Sequence, residues 1–217
     1  MTRRLRAALA ERRTALRLRG DRGSTLPIYI WMTAILFFAA LAFFAFAQAA
    51  SARNGAQSAA DAAALAAAQS ARDELLLDLG EAVGNDDDWT DVLDLDGLAG
   101  LGDGAGAAAS DLAAQNDATV VAGPNGTTVN GYPGYEVEVE TQSTVGDTVI
   151  PGTESMHATA HATAVLVPRC DFDTEADPEK PLALDCDGVG EVVIDPEDFD
   201  PLDLPDASDL FSVHLAD

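Results

Sequence analysis

The chain has 217 residues and a formal net charge of -25, with 37 acidic residues against 12 lysines and arginines. Residues 1–22 hold eight of the basic residues and only Glu11 and Asp21, so this arm carries 8 - 2 = +6 and the remainder carries -31. The arm has no aromatic residue to stack on a base and matches no nucleic-acid-binding module, which excludes a nucleic-acid-binding role.

An uncharged apolar stretch follows the arm. Residues 26–47 are dense in Leu, Ile, Phe and Ala, enough for one membrane-spanning helix of about 20 residues. We predict that helix over residues 24–48, with Pro27 tolerated in its first turn. By the positive-inside rule, the basic arm (residues 1–23) stays in the cytoplasm and the C-terminal side is exported.

A removable signal peptide is the alternative interpretation of this stretch. The small residues around Ala47, Gln48 and Ala49 resemble a cleavage site. However, an apolar signal region usually has about 7 to 15 residues, and this one is longer. The length therefore favours a permanent anchor over a secreted protein released by signal peptidase.

Residues 49–84 predict an alanine-rich extracytoplasmic helix that continues the first and ends near Gly80 or Gly84. Its surface is nearly all Ala and Ser apart from one stripe of residues four apart, so another backbone could approach it closely. That backbone belongs either to the protein's own sheet or to a neighbouring subunit's helix. The candidate helix-packing residues are Gln57, Ala60, Asp61, Ala64, Leu65 and Ala68.

Two features of this region are found together in a known family. Arg22-Gly23 leads directly into the single span, and residues 57–68 read Gln-Ser-Ala-Ala-Asp-Ala-Ala-Ala-Leu-Ala-Ala-Ala. Over about residues 20–75 the sequence resembles the TadE/TadG-like proteins of Tad (Flp) pilus assembly. The resemblance implies other pilus-assembly or envelope proteins as partners, with homo- or hetero-oligomers forming through the alanine-rich helix.

The resemblance also raises the question of processing. Pseudopilin relatives are cut by a prepilin peptidase after a glycine, with a glutamate five residues into the mature chain. Here Gly23 is the candidate glycine and Ser24 the candidate new N-terminus, but the fifth residue is Ile28 and the span has no glutamate. An uncut protein of the TadG type therefore agrees better with the sequence.

Residues 85–169 predict a small α+β domain that begins with helices. A short helix is expected from Trp89 to about Leu95, then a glycine-rich loop over residues 97–106. A second helix is expected from Ala107 to Asn116.

The pattern then changes to the period of two that is typical of strands. We predict a hairpin whose turn is Gly123-Pro124-Asn125-Gly126, flanked by strands at 118–122 and 127–129, because Asn-Gly accepts positive φ. Further strands are expected at Tyr135–Thr141 and Met156–Val167, each with one polar and one small apolar face. The alanine-rich helix would pack on the apolar face of this antiparallel sheet, giving a pilin-like outline.

The last segment, residues 170–217, holds sixteen acidic residues against Lys180. Cys170 and Cys186 are the only cysteines, and a disulfide between them is the default in an oxidising compartment. An edge strand is expected at Val192–Ile194. Beyond Pro196 we predict a largely extended acidic tail, with Leu210, Phe211 and Val213 as a docking end.

No constellation in the sequence supports an enzyme, a cofactor or a metal site. His157 and His161 lie on one side of a strand, but about 13 Å separates residues four apart, too far to share one ion. We expect them to pair with Glu138 or Glu140 across the sheet. The predicted function is that of a single-pass membrane component of a pilus-assembly or related envelope machine. A ligand-binding or sensory ectodomain is the alternative.

Overall fold

The computed structural model describes residues 25–84, 89–93, 95, 104–144, 155–173 and 176–216. Contacts divide the chain into two compact units, Met1–Ala47 and Gln48–Asp217. Helix α1 runs from Thr25 to Gly84 and ends at one of the two glycines predicted as its stop. Since a long apolar helix accompanies a small antiparallel sheet, the predicted α+β class is confirmed.

Two shorter helices follow in the second unit. Helix α2 is a single turn, Thr90–Leu93, and α3 spans Ala105–Gln115, close to the two predicted positions. Most of the predicted glycine-rich loop lies outside the described residues. Its last residue, Gly106, belongs to α3, because the surrounding alanines favour a helix enough to include one glycine.

The main sheet has four strands in the order β1-β2-β3-β7, all antiparallel. Its strands are β1 (Ala118–Val129), β2 (Tyr132–Thr144), β3 (His157–Pro168) and β7 (Phe211–Ala216). Along β2 and β3 the buried and exposed residues alternate as predicted. On the apolar face, Val137, Val139 and Ala164 are fully buried.

The hairpin turn predicted at residues 123–126 is wrong. Strand β1 continues through these residues, and its register on β2 shifts between Ala122 and Asn125. The turn is the next Asn-Gly pair, Asn130-Gly131, whose φ angles of 54° and 88° suit a two-residue hairpin. This register sets Val120 opposite Val139, and the extra residues of β1 form the bulge instead of a turn.

After Cys170 comes a second, three-stranded sheet, of which only one strand was predicted. Beyond Pro196, where a largely extended tail was predicted, the structure instead has the 3-10 turns Pro196–Asp198 and Pro201–Asp203, the single-turn helix α4 (Ala207–Leu210) and strand β7. The small sheet consists of β4 (Cys170–Asp171), β5 (Leu182–Cys186) and β6 (Gly190–Ile194). The expected edge strand is the end of β6.

The physical reason for this difference is burial. Five apolar side chains of this segment are at most 6 % exposed and belong to the main core. They are Leu182, Leu184 and Ile194 of the small sheet, Leu210 at the end of α4 and Phe211 at the start of β7. These apolar side chains are spaced between acidic residues that remain exposed at the surface. A segment can therefore be strongly acidic and still bury enough apolar surface to fold.

Candidate assembly helix and sheet surface

The first part of α1, residues 25–47, exposes large apolar side chains. Trp31, Phe38 and Phe46 are 71 %, 75 % and 78 % exposed. At 1.5 Å per residue these residues form about 35 Å of helix, slightly more than the thickness of a bilayer's hydrocarbon core. By length and composition α1 is the one described helix that could cross a membrane. The candidate processing residues Gly23 and Ser24 lie outside the described residues.

The second part of α1 buries an alanine face. Ala60, Ala64 and Ala68 are 0 % exposed and belong to the core with Val137 and Ala164 of the sheet. Because alanine side chains are short, the helix and the sheet can approach closely without voids. These three candidate packing residues therefore contact the protein's own core.

The other candidate residues of the helix lie at the border of this face. Leu65 is half-buried against the core. Gln57 Nε2 donates a 2.8 Å hydrogen bond to Asp61 Oδ1 and a longer one, 3.4 Å, to the backbone carbonyl of His161 in β3. Gln57 and Asp61 therefore lie where the helix meets the side of β3.

The polar face of the sheet carries the glutamates and histidines. Glu138 lies directly opposite His161 in the register of β2 and β3. The pairing expected for His157 is wrong, because it lies opposite Thr144 and its Nδ1 is 2.6 Å from the carbonyl oxygen of Thr141. Among the described residues, no three His, Cys, Asp or Glu side chains form a group that could hold a metal ion.

An open groove of about 470 Å³ lies where α1 meets the end of β7. Gln57 and Asp61 line it from the helix, Glu136 and His161 from the sheet, and Ala216 from the end of β7. Two of the five polar side chains that line the groove are carboxylates, and the lining includes no lysine or arginine, so the groove favours positively charged groups over anions.

Cys170 and Cys186 are bonded, with an S–S distance of 1.99 Å, and join β4 to the end of β5. Beside them Arg169 makes hydrogen bonds that the sequence analysis missed. Its guanidinium donates to the carbonyls of Ser208 at 2.8 Å and Asp187 at 2.7 Å, and its backbone N–H donates to Leu210. Arg169 thus joins β3, the small sheet and the helix before β7. Arg169 is the one arginine after Arg72, which is the sequence feature that could have marked it.

Glu74 was also missed. Its Oε1 accepts a 3.0 Å hydrogen bond from the backbone N–H of Gly104, the residue before α3. No side chain adjacent to α3 caps this end, so a carboxylate from a distant helix takes that place, where a negative charge is favoured. Burial, and secondarily the charge of Glu74, raise the pKa of the nearby Tyr135 above its ordinary value.

No curated protein and no solved structure matches the chain. One family model does, and it covers the part of the chain on which the predicted resemblance rested. Residues 23–70, from the start of the apolar stretch through the buried alanines, match the family described as putative Flp pilus-assembly TadE/G-like.

Proposed function

We propose that this chain is a single-pass membrane component of Flp pilus assembly or of a related bacterial envelope machine, acting through protein contacts. The family match over residues 23–70 carries this proposal. In this proposal residues 25–47 lie in the membrane, the basic arm lies in the cytoplasm, and the acidic second unit, residues 48–217, lies outside it.

The exposed side chains of residues 25–47 support the anchor. Contiguous apolar surface of this size on a helix is costly in water and favourable in lipid. The charge of +6 on residues 1–22 supports the orientation, because basic residues next to a span are retained on the cytoplasmic side.

The burial pattern narrows the surface that a partner could use. Ala60, Ala64 and Ala68 are already covered by the core, so a partner helix cannot contact them without unfolding the domain. Asp61 and Leu65 lie on the partly exposed border of the same helix and inside the family match. We assign partner contact to this border.

Anchoring is tested on the full chain in its membrane. The proposal expects the protein to stay in the membrane pellet after alkaline carbonate washing, and protease added outside the cytoplasmic membrane to digest residues 48–217. A freely soluble intact chain, or an acidic domain protected from external protease, would contradict it. The mass of the mature N-terminus separates an uncut chain from one cut after Gly23 or near Ala49.

Partner contact is tested by exchanging two residues. Asp61→Leu with Leu65→Asp keeps the composition but alters the border, and it should abolish co-purification with Flp pilus-assembly subunits. Asp73→Leu with Leu77→Asp is the matched control, since both positions are exposed, equally spaced on α1 and outside the family match. Equal co-purification of both variants at normal levels would refute the assigned surface.

A further inference from the structure

A small pocket lies where the end of β6 meets the two 3-10 turns. It has a volume of about 170 Å³, and its walls include the apolar side chains of Val193, Phe199 and Leu204. Phe199 and Leu204 pack against the core but are only half-buried, and Val193 is 57 % exposed. The pocket therefore offers apolar surface that a partner could cover.

Three carboxylates also line this pocket, those of Asp195, Asp198 and Asp200. Among the described residues of the lining there is no lysine or arginine, and neither ion pair seen in the described part of the chain involves these aspartates. Three negative charges that no cation balances repel one another, and a bound cation would relieve that repulsion. The pocket therefore favours a positively charged occupant.

The turns hold two of the carboxylates in place. Asp195 Oδ1 accepts a 3.1 Å hydrogen bond from the N–H of Glu197, and Asp200 Oδ1 accepts a 2.9 Å one from the N–H of Leu202. Each aspartate thereby caps one 3-10 turn. An ionised carboxylate has about four lone-pair sites, so each can still accept from a bound donor. Because their positions are set in advance, binding costs less ordering of these side chains.

The size of the pocket limits its occupant. Its volume of about 170 Å³ is smaller than the roughly 300–1,000 Å³ of a typical small-molecule site, yet it exceeds several times the roughly 30 Å³ that one water occupies. Such a volume suits a single side chain. Within the described ranges, no three His, Cys, Asp or Glu side chains form a group that could hold a metal ion, so the geometry favours an organic cation over a metal.

An arginine side chain matches both kinds of lining. Its apolar stem can cover Val193, as long basic side chains do on apolar surfaces. Its guanidinium can stack on the ring of Phe199 and donate to a carboxylate through two parallel N–H groups. A lysine ammonium is a compact charge that bonds in neither of these planar ways, so it fits less well.

We propose that this pocket binds an arginine side chain from a basic segment of a partner protein. The arginine contacts Val193 and Phe199 and donates hydrogen bonds to the aspartates. The pocket shares no residue with the border at Asp61 and Leu65, so the proposal goes beyond the function proposed above and does not depend on it.

The test uses the full chain in detergent micelles and three synthetic peptides. Acetyl-Gly-Arg-Ser-Arg-Gly-amide should bind saturably, and its lysine counterpart should bind more weakly. The counterpart with citrulline, which has nearly the shape of arginine without its charge, should show no saturable binding. Isothermal titration calorimetry measures all three. No saturable binding of the arginine peptide, or binding of either counterpart as tight as that of the arginine peptide, would overturn the proposal.

Two double variants separate the pocket from general charge attraction. Asp195→Asn with Asp200→Asn removes two charges, while asparagine can still cap both turns, and should weaken arginine-peptide binding by about tenfold or more. Asp185→Asn with Asp187→Asn is the matched control, since both positions are exposed, lie in the same acidic segment and do not line the pocket. It should bind like wild type, and an equal loss in the two double variants would contradict the proposal.

Nuclear magnetic resonance on the wild-type chain gives a second measurement that does not rely on any variant folding. The arginine peptide should shift the signals of Val193 and Phe199, and unchanged signals at both would overturn the assigned site. Sedimentation tests a different occupant. Self-association that Asp195→Asn with Asp200→Asn abolishes, without peptide binding, would assign the pocket to a basic side chain of a second copy and overturn the partner-protein proposal.

Discussion

The two parts of helix α1 are both rich in apolar residues, yet the structure exposes the side chains of one and buries those of the other. Residues 25–47 carry bulky Phe, Leu and Ile side chains that are mostly more than half exposed, whereas Ala60, Ala64 and Ala68 are fully covered. Size explains the difference: short side chains allow a sheet to pack closely, and bulky ones on every side of a helix require lipid or another protein around them.

Charges introduced into the apolar part of α1 should have a larger effect than any other change. Phe37→Arg with Phe38→Arg places two charges near the middle of the apolar segment and should disfavour membrane insertion by about 5–7 kcal/mol. The carbonate-resistant fraction of the protein measures insertion. Phe37→Leu with Phe38→Leu is the matched control and should remain in the membrane pellet. Retention of the double-arginine variant there would show that this segment is not the anchor.

The disulfide should stabilise the acidic segment, which folds despite its charge. Replacing Cys170 and Cys186 by serine should lower the free energy of unfolding by about 3 kcal/mol, since the bond closes a short loop of the unfolded chain. Thermal unfolding of the wild type with and without a reductant should show the same loss. A melting temperature that neither change lowers would mean that the bond contributes nothing to stability.

Enlarging one alanine tests the buried half of α1. Ala64→Leu adds bulk where the helix contacts the sheet and should lower the free energy of unfolding by about 2 kcal/mol. Ser58→Leu, on the exposed side of the same helix, should change it by less than about 0.5 kcal/mol. Urea unfolding measures both, and equal stabilities would mean that the alanine face is not closely packed.

A smaller effect is expected where α1 supports α3. Glu74→Ala removes the acceptor of the Gly104 N–H and should cost about 1 kcal/mol. Glu81→Ala, at an exposed position of the same helix, is the control and should be close to neutral. Thermal unfolding of the two variants compares them, and an equal change in both would remove the capping role assigned to Glu74.

The smallest effect is a dependence on alkaline pH. Burial raises the pKa of Tyr135 in the folded protein, so between the unfolded value of about 10 and the folded value the folded state binds more protons. The free energy of unfolding should therefore be unaffected by this group below pH about 10 and fall as pH rises above it. Tyr135→Phe should remove that decline, whereas Tyr132→Phe, at an exposed position, should keep it; a decline unchanged by Tyr135→Phe would assign it to other groups.

Several features of the fold followed from local patterns. The apolar stretch, the stop of α1 at Gly84 and the alternation along β2 and β3 depend on residue type and spacing within one element. The position of the hairpin turn between β1 and β2 could not be predicted from a local pattern. Asn125-Gly126 and Asn130-Gly131 are equally good turn sequences, and only the pairing of Val120 with Val139 across the strands favours the second.

Charge and hydropathy are properties of consecutive residues, so local composition is enough to divide the chain into a basic arm, an apolar segment, an alanine-rich helix and an acidic remainder. Local sequence also carries the resemblance that the family match over residues 23–70 confirms. The folding of the acidic remainder and the position of Arg169 between three elements could be seen only in the three-dimensional structure. Each of these depends on contacts between residues far apart in the chain, whose partners no local pattern specifies.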